Sequence, residues 1–168
     1  GASVGKIFGM QSAMKSGIGT ASMDVGGGVQ VGAICVVNAL GDVVDYKNGK
    51  MIAGARSIKK GPMKLGGDEY FADTMKVLGT FYGRRILQLM HGSNTVIGVV
   101  ATNARLSKEE NNKVAQMAQN GLAMTVRPAN TMYDGDTIFS LSTQKRKSDV
   151  NIIGAFAAIA VAEAILNA

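Results

Sequence analysis

The sequence predicts a layered α/β fold, a sheet with helices packed on it. Three observations carry this. The run Val29-Gln-Val-Gly-Ala-Ile-Cys-Val-Val turns apolar on both faces toward its end, the pattern of a strand covered on both sides. Residues 95–100, Thr-Val-Ile-Gly-Val-Val, are β-branched or small and almost wholly apolar, a second buried strand. Helix signals fill the C-terminal part. Ser107-Lys-Glu-Glu is a capping box, and an Ala-rich helix carrying Ile152, Ile153, Phe156, Ile159, Ile165 and Leu166 closes the chain. With 168 residues, 46% hydrophobic and 18% charged, the chain is one domain's worth of sequence and long enough to bury a core.

In order, Val4, Ile7, Phe8, Met10 and Met14 have a mainly helical spacing, so residues 1–14 are predicted as helix. The opening Gly1-Ala-Ser-Val-Gly-Lys-Ile superficially resembles a phosphate-binding loop. It is one spacer short and has Ile where Ser or Thr should hold magnesium, so no nucleotide site is expected. Gly17 and Gly19 follow Lys15. They read either as a helix cap leading into a strand or as small neighbours that set Lys15 at the edge of a cavity.

Residues 20–25 and 29–40 are predicted strands of a hairpin turning at Gly26-Gly27-Gly28. Asn38 ends the second. It serves there either as a turn former or as an amide able to donate to a developing oxyanion. Residues 43–46 and 51–55 make a smaller hairpin about Asn48-Gly49. Residues 57–92 are less regular, with helices expected near 70–78 and 84–90. Past the capping box, Val114, Met117, Ala118 and Leu122 mark the buried stripe of a helix. Asp134-Gly135-Asp136 precedes a strand at 137–143. It is either an Asp-Gly turn or a carboxylate pair at a strand mouth. Ser148 or Asp149 caps the last helix.

Composition narrows the chemistry. The formal net charge is +6, and much of the positive charge lies in Arg56, Lys59, Lys60, Lys64, Lys76, Arg84 and Arg85. Aromatic residues are only 5% and Trp is absent, so no stacking platform accompanies those cations. They read as a solvated connection, and no nucleic-acid partner is expected. Cys35 is the one cysteine and His91 the one histidine, too few for a Cys/His metal site. A Ser-His-Asp triad would have to use His91, in the loop before a strand. Neither metal nor organic cofactor is expected, and catalysis would need a base other than histidine. The apolar run at 152–162 is about half the ~20 residues of a membrane span and is interrupted by Glu163. With no secretory signal, a cytoplasmic protein away from membranes is expected. Gly1 enters structured sequence at once without an initiating Met, so the chain reads as a fragment or processed piece.

The stretch Gly92-Ser-Asn-Thr joins two unlike halves, a small polar loop and a core strand that starts at Thr95. If the Asn94–Thr95 bond were cut, Thr95 would carry a hydroxyl nucleophile and a free α-amine on one rigidly held residue. That amine, with a pKa of roughly 7.7–8.0, can act as a base near neutral pH. An Asn-Thr pair at a loop-to-strand junction is equally well explained by turn chemistry.

Five stretches together resemble one family: Gly1-Ala-Ser-Val-Gly-Lys, Lys15-Ser-Gly-Ile-Gly-Thr-Ala-Ser, Val31-Gly-Ala-Ile-Cys-Val-Val-Asn-Ala-Leu-Gly-Asp-Val, Asn94-Thr-Val-Ile-Gly-Val-Val-Ala-Thr-Asn-Ala and Asp134-Gly-Asp-Thr-Ile-Phe-Ser-Leu-Ser-Thr. They look like the L-aminopeptidase/D-esterase family of self-processing N-terminal-nucleophile hydrolases. β-Peptidyl aminopeptidases, nylon-oligomer hydrolases and a pantetheine hydrolase are relatives.

The resemblance implies a four-layer αββα sandwich with Ntn-hydrolase layering and different connectivity. It implies a precursor that cuts itself before a Ser or Thr, here between Asn94 and Thr95. Residues 1–94 would then be the C-terminal part of an α chain and residues 95–168 a β chain. Asn38 matches the family's oxyanion-hole Asn, and Asp134 and Asp136 match the two positions that support the nucleophile. Lys15 matches a lysine near the nucleophile, with Lys6 as competitor. Family precursors have roughly another half-chain before the position of Gly1, so that portion is an expected partner. A homo-oligomer of α/β units is also expected. The implied activity is hydrolysis of amide or ester bonds in small peptides or amino-acid amides. The alternatives are acyl transfer of the ornithine acetyltransferase type, or a non-catalytic basic scaffold.

Overall fold

A computed structural model describes residues 1–58, 70–89 and 94–168. The main sheet has the strand order β3-β4-β7-β9, formed by Ile18–Gly26, Val29–Asn38, Thr95–Ala104 and Thr137–Arg146. β3, β4 and β7 run antiparallel and β9 joins β7 in parallel, so the chain must cross over between them. The crossover includes helix α3 (Lys108–Thr125), and helix α4 (Val150–Leu166) ends the chain. Both helices pack on one face of the sheet and on each other. A small sheet of β5 (Asp42–Val44), β6 (Met51–Ala53) and β8 (Val126–Arg127), and a ribbon of β1 (Ala2–Val4) and β2 (Met14–Ser16), lie beside it. Short helices α1 (Thr74–Leu78) and α2 (Phe81–Leu89) form part of the 57–92 connection.

Local chemistry explains these elements. The β3–β4 turn is made by Gly26, Gly27 and Gly28, all at positive φ, where a side chain would be strained. Ser107 caps α3 as the sequence predicts: its hydroxyl accepts from the Glu110 N–H, and the Glu110 carboxylate accepts from the Ser107 N–H at 2.7 Å. Asp149, not Ser148, caps α4. The small residues of the two helices set their closeness. A Cβ on Gly121 of α3 would lie 2.1 Å from the Ala158 carbonyl oxygen of α4. Val31, Val37, Val96, Val100, Val114, Leu122, Ile153 and Val161 fill the space between helices and sheet, each wholly buried.

Two expectations are corrected. Residues 1–14 do not form a helix. They run as β1, a turned loop and β2, because Gly5 and Gly9 take positive φ and break any helical course. The apolar spacing reflects loop residues, Ile7 and Phe8, buried in a small second cluster with Ala55, Ala72 and Val77. β4, in turn, is not covered on both faces by the described residues. Its side chains alternate, Val31, Ala33, Cys35 and Val37 buried and Ile34 and Val36 exposed.

The register extends that open face across the sheet. Ile18, Val36 and Ile97 form one row, and Ile34, Val99 and Phe139 the next. On the main sheet, the described residues supply one helix layer and leave the other, apolar face open.

Candidate active site

Thr95 and Asn38 face each other as the last pair of the β4–β7 ladder, on the open side of the sheet. Cys35 lies on the other side, where burial pushes its thiol up to about 11, as befits an inert core cysteine. Asn94 is 4% exposed and continues the β7–β9 pairing as a parallel bridge to Asp134. The Asn94–Thr95 peptide is thus gripped from both neighbouring strands. The Thr95 hydroxyl donates to the Asn94 carbonyl oxygen at 2.6 Å, so the side chain lies against the peptide group that precedes it. The same oxygen accepts the Gly135 N–H at 2.8 Å.

Lys6 ties the cluster together. Its ammonium donates to the Asn38 carbonyl (3.0 Å), to Asn38 Oδ1 (2.7 Å) and to Asn94 Oδ1 (3.2 Å). Three acceptors match the three N–H bonds of a protonated ammonium. Lys6 is only 7% exposed, and burial lowers its pKa while the Asp134 charge opposes that shift. Asn38 Oδ1 also accepts the Ser3 N–H at 3.3 Å. With its carbonyl end held by Lys6 and Ser3, the amide turns its NH₂ end away from them. The Asn94 amide in turn donates to the Tyr133 carbonyl at 3.4 Å.

The two acids act on the backbone. Asp136 accepts from the Val96 N–H at 2.7 Å and the Asn130 N–H at 3.0 Å, which fixes the strand one residue past Thr95. Burial raises its pKa. The two backbone donors oppose that shift, and the neighbouring Asp134 adds to it. Asp134 accepts from the Thr131 hydroxyl at 2.6 Å and the Thr131 N–H at 3.0 Å, closing the loop at 130–136.

The structure thus brings Thr95, Asn94, Asn38, Asp134 and Asp136 together. It does not bring in Lys15, which is exposed on β2 opposite Ser3 and whose side chain has no hydrogen bond or ion pair among the described residues. Lys15 lines a cavity of about 580 Å³ with Ser3, Met10, Arg56 and Tyr70, the cavity-edge placement its small neighbours predict. The lysine beside Asn38 is Lys6, so the geometry favours Lys6 for the position that the resemblance gave first to Lys15. Asn38 also borders an apolar cavity of about 490 Å³ with Ala2, Ile18 and Val36. His91 lies outside the described residues, and among those residues no cluster of metal-ligating side chains occurs. No described helix is long and apolar enough to cross a membrane.

Sequence reading missed two features here. Gly135 passed as turn chemistry, although its N–H is a donor to the Asn94 carbonyl; a backbone group leaves no trace in side-chain identity. Asn94 passed as a loop residue, although it is buried and held on both its side chain and its carbonyl.

The model of peptidase family S58 matches residues 1–168. An uncharacterized aminopeptidase of Mycobacterium leprae (strain TN) is 40% identical over 148 residues, 85% of this chain and 36% of that protein. A 6-aminohexanoate-oligomer endohydrolase of Paenarthrobacter ureafaciens is 25% identical over 119 residues, 71% of this chain and 31% of that protein. Among solved structures, the L-aminopeptidase D-Ala-esterase/amidase of Ochrobactrum anthropi, described as a variant of the Ntn-hydrolase fold, superposes with a TM-score of 0.56. It is 19% identical, over 91% of this chain and 39% of that one. A β-aminopeptidase of Burkholderia sp. gives 0.55 at 22% identity, over 98% and 42%. The fold is shared, and the chain spans about a third of the length of these curated relatives.

Proposed function

The chain belongs to peptidase family S58, and from that premise we propose that it is part of a self-processing hydrolase of peptide and amide bonds whose nucleophile is Thr95. The observation that carries the reading is the 2.6 Å contact between the Thr95 hydroxyl and the Asn94 carbonyl oxygen, inside the cluster of Asn38, Lys6 and Asp136.

In the uncut chain the Thr95 hydroxyl oxygen bonds to the Asn94 carbonyl carbon through a five-membered ring. The tetrahedral adduct collapses with loss of the C–N bond, and the hydroxyl proton ends on the departing amine. Water then hydrolyses the ester, leaving an Asn94 carboxylate and a Thr95 with free amine and hydroxyl. In the mature form the freed amine accepts the hydroxyl proton as Thr95 attacks a substrate amide or ester. The Asn38 NH₂ donates to the substrate's oxyanion, a contribution of ~2.7–4 kcal/mol to the barrier for a donor of this kind. Lys6 orients Asn38, and Asp136 holds the backbone beside Thr95. An open apolar hollow of about 490 Å³ beside Asn38 offers a place for the side chains of small peptides, amino-acid amides and related short amides. The activities named for the relatives, aminopeptidase and oligomer endohydrolase, support this class.

The test is a denaturing mass spectrum of the protein purified as its natural gene encodes it. Two fragments meeting at Asn94/Thr95, absent in Thr95→Ala, are expected. A single intact wild-type chain, stable for days at neutral pH, overturns the proposal.

A further inference from the structure

We infer that the backbone N–H of Gly135 is the oxyanion donor for scission of the Asn94–Thr95 bond, and that Asp134 and Asp136 are the positioning residues that hold it there. This rests on the reading of Thr95 given above.

The geometry begins with one oxygen. When Thr95 attacks, negative charge develops on the Asn94 carbonyl oxygen, and the Gly135 nitrogen stands 2.8 Å from it. That is a hydrogen-bonding distance to the carbonyl oxygen of the uncut peptide, so the N–H is already aimed at the atom on which the charge develops. The second donor to this oxygen, the Thr95 hydroxyl, gives up its proton in the reaction and so cannot stabilise the charge that results. Gly135 therefore remains as a donor throughout the step.

The N–H is held by its surroundings. The Asn94–Asp134 bridge extends the parallel ladder to the residue before Gly135. Asp134 fastens its own loop through Thr131, and Asp136 fastens both that loop, through Asn130, and the start of β7, through Val96. Asp136 thus ties the glycine's loop to the strand that carries the nucleophile, and Asp134 closes that loop on itself. A donor fixed before the reaction has no reorganisation to undergo during it. Glycine at 135 also leaves this contact uncrowded, since a Cβ there would stand 3.0 Å from the Thr95 hydroxyl oxygen, a tight approach. The Asp-Gly-Asp triplet, read from sequence as a turn or a carboxylate pair, is by this reasoning a clamp around a backbone donor.

The test replaces Gly135 with glycolic acid in the natural full-length gene product, which exchanges one amide N–H for an ester oxygen and adds no side chain. Scission is followed by denaturing mass spectrometry from the start of synthesis. The expected result is a 10²- to 10³-fold slower appearance of the Thr95 fragment, the loss typical of one oxyanion donor, while Asp136→Asn slows it less. Scission of the glycolate variant at the wild-type rate overturns the inference and leaves the Thr95 reading intact. An uncut wild type would sink the Thr95 reading itself, and this inference with it. Should the glycolate variant fail to fold, a crystal structure of uncut Thr95→Ala decides the matter. There the Gly135 nitrogen is expected within about 3.2 Å of the Asn94 carbonyl oxygen, and a separation beyond hydrogen-bonding range overturns the assignment.

Discussion

Replacing Lys6 with Met keeps the unbranched stem of the side chain, one atom shorter, and removes its charge and its three donors. In the folded protein those donors reach Asn38 twice and Asn94 once, at 3.0, 2.7 and 3.2 Å. A hydrogen bond from a charged group has a net value of about 1.5–3 kcal/mol, desolvation included. The three share one ammonium and do not add independently, so the expected loss of stability is about 2–4 kcal/mol. With a urea m-value of about 1–3 kcal/mol/M, this moves the unfolding midpoint down by roughly 1–2 M. Lys15→Met is the matched control. Lys15 is exposed and unpaired among the described residues, so its replacement should change stability by no more than about 0.5 kcal/mol. Scission at Asn94 should follow the same order, slowed strongly in the Lys6 variant and little in the Lys15 variant. Equal midpoints for the two variants, or loss of scission in Lys15→Met alone, would refute the assignment of Lys6 as the hub of the site.

Two further outcomes follow from the packing and the titration. Gly121→Ala drives a methyl to within 2.1 Å of the Ala158 carbonyl oxygen, so α3 and α4 must separate. A loss of about 1–3 kcal/mol in urea unfolding is expected, and an unchanged midpoint would contradict the close helix contact. Asp136 has its pKa raised by burial, so between the usual carboxylate value and the raised one the folded protein binds more protons than the unfolded chain. Its contribution to stability is thus present at low pH and is lost as pH rises through the folded value. Asp136→Asn cannot titrate. Its midpoint relative to wild type should therefore rise with pH across the acid range, and a relative midpoint that falls would falsify the sign.

Much of the architecture was legible because local signals agreed with the final packing. The three glycines after Asp24 and Val25 force a turn, the apolar run in residues 29–37 gives a strand, and Ser107 with Glu110 announces a helix. The opening segment was not legible, because spacings of three and four also arise when a loop tucks Ile7 and Phe8 into a core. The site was legible where a polar side chain interrupts apolar sequence, at Asn38 and Thr95. It was obscured where two lysines nine residues apart compete. Only the β1–β2 pairing and the inward turn at Gly5 decide between them, and both depend on backbone course. The Gly135 donor could not be read at all, since every residue except proline offers the same N–H.

Thr95 and Asn38 stand on the same side of the main sheet as Ile18, Val36, Ile97 and Phe139. An uncovered surface of that kind tends to associate in water. Whatever shields those side chains would also roof Thr95 and Asn38. On the proposed reading of Thr95, drying the greasy rows and drying the nucleophile would then be one physical event.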